Sequence, residues 1–480
     1  MAEAGTDYLV IGTGTAGLAF ADTLIAEDPG ARIAFVDRHG KPGGHWNDAY
    51  SFVTLHQPSA FYGVNSLELG SGRKDTIGLN KGLYELASGP EISGYFERVM
   101  HGLLASGRVS YHPLCNWLGE GEFESLLSGA RTRIEVRRKV VDARYYSPAV
   151  PATHKPRFAV SEGVRVVPPG ALPGLWQALQ AGAPAPRRFV VLGAGKTAMD
   201  ACVWLIQCGC PPEAIRWVVP RDPWVTNRVT TQNAPEFFEQ AIGSQADQMQ
   251  AFAEANSTDD LFLRLEACGV LLRIFADHEP TMFHLATVAP GEVEVLRRIG
   301  DVIRLGRVTA LEADRMLLER GSLPVEPATL FIDCTASAVD FRPPQEIFQG
   351  ERIVLQMVRL PQPAFSAALT AYVEAHYGDD AQKNRLCGSV PFPHRPADYP
   401  RSMLVTMANQ VQWGQDEGLR RWIRASRLDG FGKLVAGADR NDPKQQAIIA
   451  RFREQAGAAM AHLPRLVEAC EREAARGGSS

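Results

Sequence analysis

The chain has 480 residues, enough for two or three domains with substantial cores. Its formal net charge of -4 leaves no basic excess, which argues against a nucleic-acid partner. Eight cysteines in so long a chain do not make a secreted disulfide framework, and the histidines show no metal-ligand spacing with Cys, Asp or Glu, so no metal is expected.

The N-terminus, Met1-Ala2-Glu3-Ala4-Gly5, runs directly into an apolar stretch without the basic segment and apolar core of a leader. There is also no run of the roughly 18 apolar residues that a membrane span requires. A soluble, cytoplasmic protein is expected. Tyr8-Leu9-Val10-Ile11 reads as a strand that enters Gly12-Thr13-Gly14-Thr15-Ala16-Gly17 and then a helical pattern. In such a loop Gly12 permits the tight turn, Gly14 lets the backbone approach a pyrophosphate, and Gly17 lets the helix pack on the sheet. The next strand, Ile33-Ala34-Phe35-Val36, ends on Asp37. This acid lies about 20 residues past the loop, where a carboxylate accepts hydrogen bonds from an adenosine ribose.

Beyond Asp37 come Gly43-Gly44-His45-Trp46 and Val53-Thr54-Leu55-His56-Gln57-Pro58. This run resembles the segment after the first loop in flavin-containing and Baeyer–Villiger monooxygenases. The resemblance implies FAD at the first site, with Gly44 and Trp46 close to it and the segment carrying His56 and Gln57 near the isoalloxazine ring. His56 stands approximately where flavin-containing monooxygenases carry a ring-proximal asparagine. As an imidazole it could donate a hydrogen bond there and would titrate near neutral pH. A core histidine with no such role is the competing reading.

Three short strands are expected at Ile134-Glu135-Val136 through Tyr145-Tyr146, at Arg157-Phe158-Ala159-Val160 and at Val164-Arg165-Val166-Val167. Residues 1–165 then form the first part of an FAD domain. Pro168-Pro169-Gly170 and Ala181-Gly182-Ala183-Pro184-Ala185-Pro186 read as linkers.

A second dinucleotide domain follows over 187–327. Phe189-Val190-Val191-Leu192 enters Gly193-Ala194-Gly195-Lys196-Thr197-Ala198, with alanine in place of the third glycine. Gly193, Gly195, Lys196 and Thr197 are the candidate contacts to its pyrophosphate. The following strand, Ile215-Arg216-Trp217-Val218-Val219, leads to Pro220-Arg221 rather than to an acid. An arginine there holds a 2′-phosphate through charge-assisted bonds, which favours NADPH over NADH. The adjacent Asp222 weakens that reading, and the alternative is a solvated surface charge. Within this domain residues 230–276 carry Phe237, Phe238, Ala241 and Ile242, then Leu261, Leu263, Leu265 and Leu271, at roughly helical spacing. They predict a helical insertion that either covers a substrate cavity or only decorates the fold.

Leu330-Phe331-Ile332 leads into Asp333-Cys334-Thr335-Ala336-Ser337, a degenerate form of the Asp-x-x-x-Ala-Thr-Gly segment at which two-dinucleotide flavoproteins return to the FAD domain. That resemblance makes Asp333 a candidate cofactor residue and assigns 328–480 to the returning FAD domain and C-terminal helices. Ile448, Ile449, Phe452, Met460, Leu463, Leu466 and Val467 pattern the tail as amphipathic helices on the outside.

The expected fold is α/β, with two Rossmann-like domains for FAD and NADPH and a helical insertion. The resemblance implies a monooxygenase in which NADPH reduces the flavin, O₂ forms a C4a-(hydro)peroxyflavin, and one oxygen passes to a small organic substrate. The Phe-x-Gly-x-x-x-His fingerprint of those families is absent, since Phe158-Ala159-Val160-Ser161-Glu162-Gly163-Val164 has no histidine in step. Two alternatives therefore stand: an oxidoreductase passing electrons to another acceptor, and a protein that binds flavin only as a structural group. A dithiol relay is disfavoured, because Cys208 and Cys210 have one intervening residue and Cys334 has no sequence partner nearby.

Overall fold

The structure, a computed structural model, describes residues 5–146, 150–337 and 339–477. Met1 to Ala4, on which the expected absence of a leader rests, lie outside the described residues. Two mainly parallel sheets organise the chain. In the first, the strands run in the order Phe348–Gln349, Arg352–Val354, Val136–Asp142, Thr6–Ile11, Ile33–Val36, Val109–His112. All pair in parallel except the short hairpin at the edge. Its central strands are apolar on both faces, as a sheet covered on both sides requires: Leu9, Val10, Ala34 and Phe35 are all buried. Helix Thr15–Glu27 packs against helix Pro363–His376, burying Leu18, Phe20 and Leu24 with Phe365 and Leu369.

The second sheet has the order Asp301–Ile303, Ile215–Val218, Arg188–Leu192, Thr329–Asp333, Arg165–Val167, parallel throughout. Two expected boundaries move as a result. Thr329–Asp333 is a central strand beside Arg188–Leu192, because Leu330, Phe331 and Ile332 are apolar on both faces and fully buried. The chain therefore returns to the first sheet at Phe348–Gln349, after Asp333 rather than at 328. Arg165–Val167 likewise belongs to the second sheet's edge, not to the end of the first domain. Of the three expected short strands, the first became a central strand of the first sheet, Val136–Asp142. Ala159–Val160 joins a small sheet with Val308–Leu311, Arg315–Leu318 and Gly321–Pro324.

The helical insertion is present as Ser244–Glu254 and Thr258–Ala267. Its apolar face meets the C-terminal helix Pro443–Gly477: Met249, Phe252, Leu261 and Leu265 form one core with Ala459, Leu463, Leu466 and Cys470. Leu263 points away and is exposed, because two residues along a helix is the opposite face, and Leu271 lies on a strand. Pro169–Ala171 and Leu172–Gln180, partly read as linker, are helical. Among the described residues no helix is long and apolar enough to cross a membrane, and no group of three or more His, Cys, Asp or Glu is arranged to hold a metal ion.

Candidate active site at the junction of the two sheets

Gly12 ends the first strand at φ +100°, a left-handed conformation that favours glycine. A Cβ on Gly17 would lie 2.1 Å from the Gly12 carbonyl oxygen, so the helix reaches this depth only without a side chain. A Cβ on Gly14 would meet only Gly44 Cα, at 3.6 Å, so its approach is otherwise open. Gly44 itself sits at φ +57° with its backbone against Gly14, and the Gly43 N–H donates to the Thr13 carbonyl at 2.8 Å. Trp46 Nε1 donates to the Tyr62 hydroxyl at 2.7 Å, and that hydroxyl also bonds Thr15 Oγ1. The segment beyond Asp37 is thus stitched onto the first loop.

Asp37 is buried at the end of its strand. Its Oδ2 accepts the Thr13 N–H at 2.6 Å and the Thr13 hydroxyl at 2.7 Å, and its Oδ1 accepts the His39 N–H at 2.8 Å and faces His39 Nδ1 at 3.0 Å. Burial pushes this carboxyl up, but the bonds from His39 and Thr13 outweigh it and hold the pKa below the usual range. Four contacts use the roughly four acceptor positions of a carboxylate, so a ribose hydroxyl would share or displace one of them. Nearby, the Arg144 guanidinium lies 4.9 Å above the Trp117 ring, whose buried Nε1 has no hydrogen-bond partner. Arg144 Cγ is 3.5 Å from the Cβ position of Gly12, so the Arg144 stem borders the first loop. The side-chain-free approach at Gly14, at the N-terminus of helix Thr15–Glu27, fits the pyrophosphate of a dinucleotide.

The second loop repeats the turn with Gly193 at φ +115°, where a Cβ would come 2.7 Å from the Cys334 carbonyl oxygen. Around Gly195 nothing lies within 4 Å, and Ala198 is fully buried where a third glycine would stand. Arg221 follows the next strand half-buried, and burial and Arg307 lower its pKa. No ion pair of Arg221 occurs among the described residues, whereas the neighbouring Asp222 is held by Arg304 at 2.8 and 2.9 Å. Asp222 is thereby neutralised and does not repel an anion at Arg221.

Two sequence candidates have other partners. The Lys196 ammonium pairs with Asp200 and lies 3.3 Å from Glu292. Burial works against its charge, yet the two carboxylates raise its pKa. Asp333 Oδ1 accepts the Thr335 N–H at 3.0 Å and hydroxyl at 2.6 Å, and His154 lies 4.0 Å from Oδ2. It orders the crossover between the sheets.

Between the two loops lies a segment that the sequence marked only in part. Residues Tyr50 to His56 belong to the first domain in sequence but dock on helix Lys196–Gln207 of the second. The Tyr50 hydroxyl donates to Asp200 Oδ2 at 2.7 Å, and Phe52 stacks on Trp204 with centroids 5.2 Å apart. Arg228, only 2 % exposed, donates from Nε to the His56 carbonyl at 2.8 Å and from Nη2 to the Thr287 carbonyl at 3.1 Å. Its Nη1 pairs with Glu292 and lies 3.3 Å from Asn80 Oδ1. Burial opposes the Glu292 charge, but Lys196, Arg228 and the Ala289 N–H hold its carboxyl down at about 2. The His56 imidazole is half-buried beside this network. Burial, then Lys196 and Arg228, push its pKa down to about 3. The expected titration near neutral pH is therefore corrected: the ring stays neutral, first because burial disfavours its charged form and then because Lys196 and Arg228 lie near it. Gln57 next to it is half-buried.

No family model matches the chain. The uncharacterized protein Rv2000 of Mycobacterium tuberculosis is 42% identical over 465 residues, covering 97% of this chain and 85% of its own. The uncharacterized protein Mb2023 of Mycobacterium bovis has the same identity and coverage. Among solved structures, the polycyclic ketone monooxygenase of Thermothelomyces thermophila aligns with a TM-score of 0.50 at 13% identity, over 89% of this chain and 85% of that one. A flavin-containing monooxygenase of Stenotrophomonas maltophilia aligns with a TM-score of 0.45 at 11% identity, over 80% of this chain and 100% of that one. The two-sheet topology is that of the two-dinucleotide flavoprotein fold, and the likeness expected from the sequence holds at the level of the fold.

Proposed function

We propose, from the premise that the chain belongs to the family of the mycobacterial proteins Rv2000 and Mb2023, that it is a flavin-dependent NAD(P)H oxidoreductase acting as a monooxygenase. It binds FAD at the first loop and NADPH at the second, and it transfers one atom of O₂ to a small organic substrate. The observation that carries this reading is the junction itself. Two mainly parallel sheets each lead into a glycine loop, and one segment of the first domain, Tyr50 to His56, is bound to the second domain, at the helix after its loop through Tyr50 and at Arg228 through the His56 carbonyl.

Bound FAD would supply electron uptake from the nicotinamide and activation of O₂; the protein supplies position, dryness and hydrogen bonds. Gly12, Gly14 and Gly17 admit the pyrophosphate to the helix N-terminus, Asp37 orders the loop at the ribose side, and Gly44, Trp46 and Gln57 border the site. Gly193, Gly195 and Thr197 receive the second dinucleotide, with Arg221 free to meet a 2′-phosphate. His56, held neutral, is a hydrogen-bond donor that keeps its proton across the physiological range. Lys196 and Asp333 act on the framework rather than on a phosphate.

One observation favours a second reading, transfer of electrons to a different acceptor: the chain lacks the histidine fingerprint over residues 157–175. Released cofactor identified as FAD by mass spectrometry, and incorporation of ¹⁸O from ¹⁸O₂ into product across a panel of ketones, amines and thioethers, support the monooxygenase. NADPH oxidation without label, with electrons recovered in an added quinone, would replace it with the second reading.

A further inference from the structure

Arg228 is the most highly connected buried cation at the junction. Its guanidinium has five N–H donors in a rigid fork, and four acceptors from three separate stretches of chain surround it. These are the His56 carbonyl and Asn80 Oδ1 from the first domain, and the Thr287 carbonyl and Glu292 from the second. Glu292 is shared three ways. One oxygen takes Arg228 and the Ala289 N–H at the start of helix Pro290–Leu296, and the other faces Lys196, the first residue of the helix after the second glycine loop. Asp200 closes the set by pairing with Lys196 and accepting from Tyr50. Two cations and two carboxylates balance, and the chain of contacts runs from the main chain of residue 56 to the mouth of the second loop.

We propose that Arg228 is a positioning residue: through the His56 carbonyl on one side and Glu292–Lys196 on the other, it sets the flavin-side segment relative to the nicotinamide loop. This rests on the reading of the two loops as FAD and NADPH sites. The geometry gives the reason. Hydride donor and acceptor must meet within about 3 to 3.5 Å, and a misplacement near 1 Å costs on the order of 10²-fold in rate. A guanidinium fork can hold two carbonyls and a carboxylate in one plane, while an ammonium is a point charge on a flexible stem.

The test uses the flavin-loaded protein and its Arg228→Lys and Glu292→Gln variants. Anaerobic stopped-flow gives the limiting rate of flavin reduction per bound flavin and the NADPH concentration for half-maximal rate. Arg228→Lys keeps the charge opposite Glu292 but not the fork, and its limiting rate should fall roughly 10²-fold while half-saturation by NADPH stays at the parent value. Glu292→Gln keeps an acceptor for Arg228 and should show a smaller fall of the same kind, which carries the test if the lysine variant does not fold. A lowered melting temperature with an unchanged limiting rate in the folded variants overturns the proposal, since that is a purely structural role. A parent protein that holds no flavin, or whose flavin NADPH does not reduce, defeats the reading of the site and takes this proposal with it.

Discussion

Gly12 and Gly193 both turn through a left-handed φ at the end of a buried parallel strand, at +100° and +115°, yet different kinds of residue hold the two turns. The first is held locally. Asp37, at the end of the adjacent strand, binds both the N–H and hydroxyl of Thr13, and Gly44 presses its backbone on Gly14. The second is also held by its neighbouring strand, where the Trp217 indole donates to the Gly193 carbonyl at 2.7 Å, but its helix start is tied in addition to the other domain. Lys196 at its helix start is fixed by Glu292, which is fixed by Arg228, which grips the first domain at His56. Under the proposed function, the buried charge that ties the second loop to the other domain suits a cofactor that must arrive, be oriented and leave.

The largest expected difference between the loops comes from filling the first. Gly17→Val puts a branched side chain where even a Cβ would lie 2.1 Å from the Gly12 oxygen, so the purified variant should contain no flavin by absorbance. Gly195→Ala, in open space, should retain both fold and flavin, and loss of flavin there would break the contrast.

Next in size is the charge network. Removing one member of a buried ion pair costs about 3–5 kcal/mol, so Glu292→Gln should lower stability by that order in urea titrations at pH 7, whereas an exposed carboxylate such as Glu417 is worth under about 1 kcal/mol. The pH dependence follows in sign. The Glu292 carboxyl is held at about 2, below its ordinary value of 4.5, so its contribution is complete above 4.5 and is lost as pH falls toward 2. A shift of roughly 2.5 pH units at about 1.36 kcal/mol each makes this about 3 kcal/mol, and the Gln variant should show that much less acid sensitivity.

Smaller still is the cofactor preference. Arg221→Ala should narrow the preference for NADPH over NADH by roughly 1.5 to 3 kcal/mol in stopped-flow reduction, the worth of one charged hydrogen-bonding contact. Equal reduction of the parent by both nucleotides would remove the 2′-phosphate role. The smallest signal is an absence of change: with its pKa near 3, the His56 ring should keep neutral-imidazole ¹⁵N shifts from pH 5 to 8. A midpoint near 6.5 would show that the ring is neither desolvated nor close to Lys196 and Arg228.

The legible part of the site was the part made by near neighbours in sequence. Gly12, Gly14 and Gly17 declare themselves because a turn, a close approach and a helix contact each exclude a side chain within six residues of chain. Asp37 follows one helix later because a βαβ unit has a nearly constant length. The His56 ring type is visible in sequence, but its burial and its two cationic neighbours, which lower its pKa, are not. Asp333 is matched to the cofactor by motif, and the structure adds what the motif cannot: its strand pairs with Arg188–Leu192 and its carboxylate accepts from Thr335.

The amino-acid sequence by itself determined two strand–glycine–helix units and the helical insertion, because these depend on backbone sterics and on the period of apolar residues over short spans. Only the tertiary structure decided how the two units face each other. Lys196 and Asp200 are an i,i+4 pair on one helix, but Tyr50, His56, Asn80, Arg228 and Glu292 share no spacing with them that a local rule could detect. What joins them is the requirement that charges taken out of water be paired, and which charges meet is settled only when the sheets have packed.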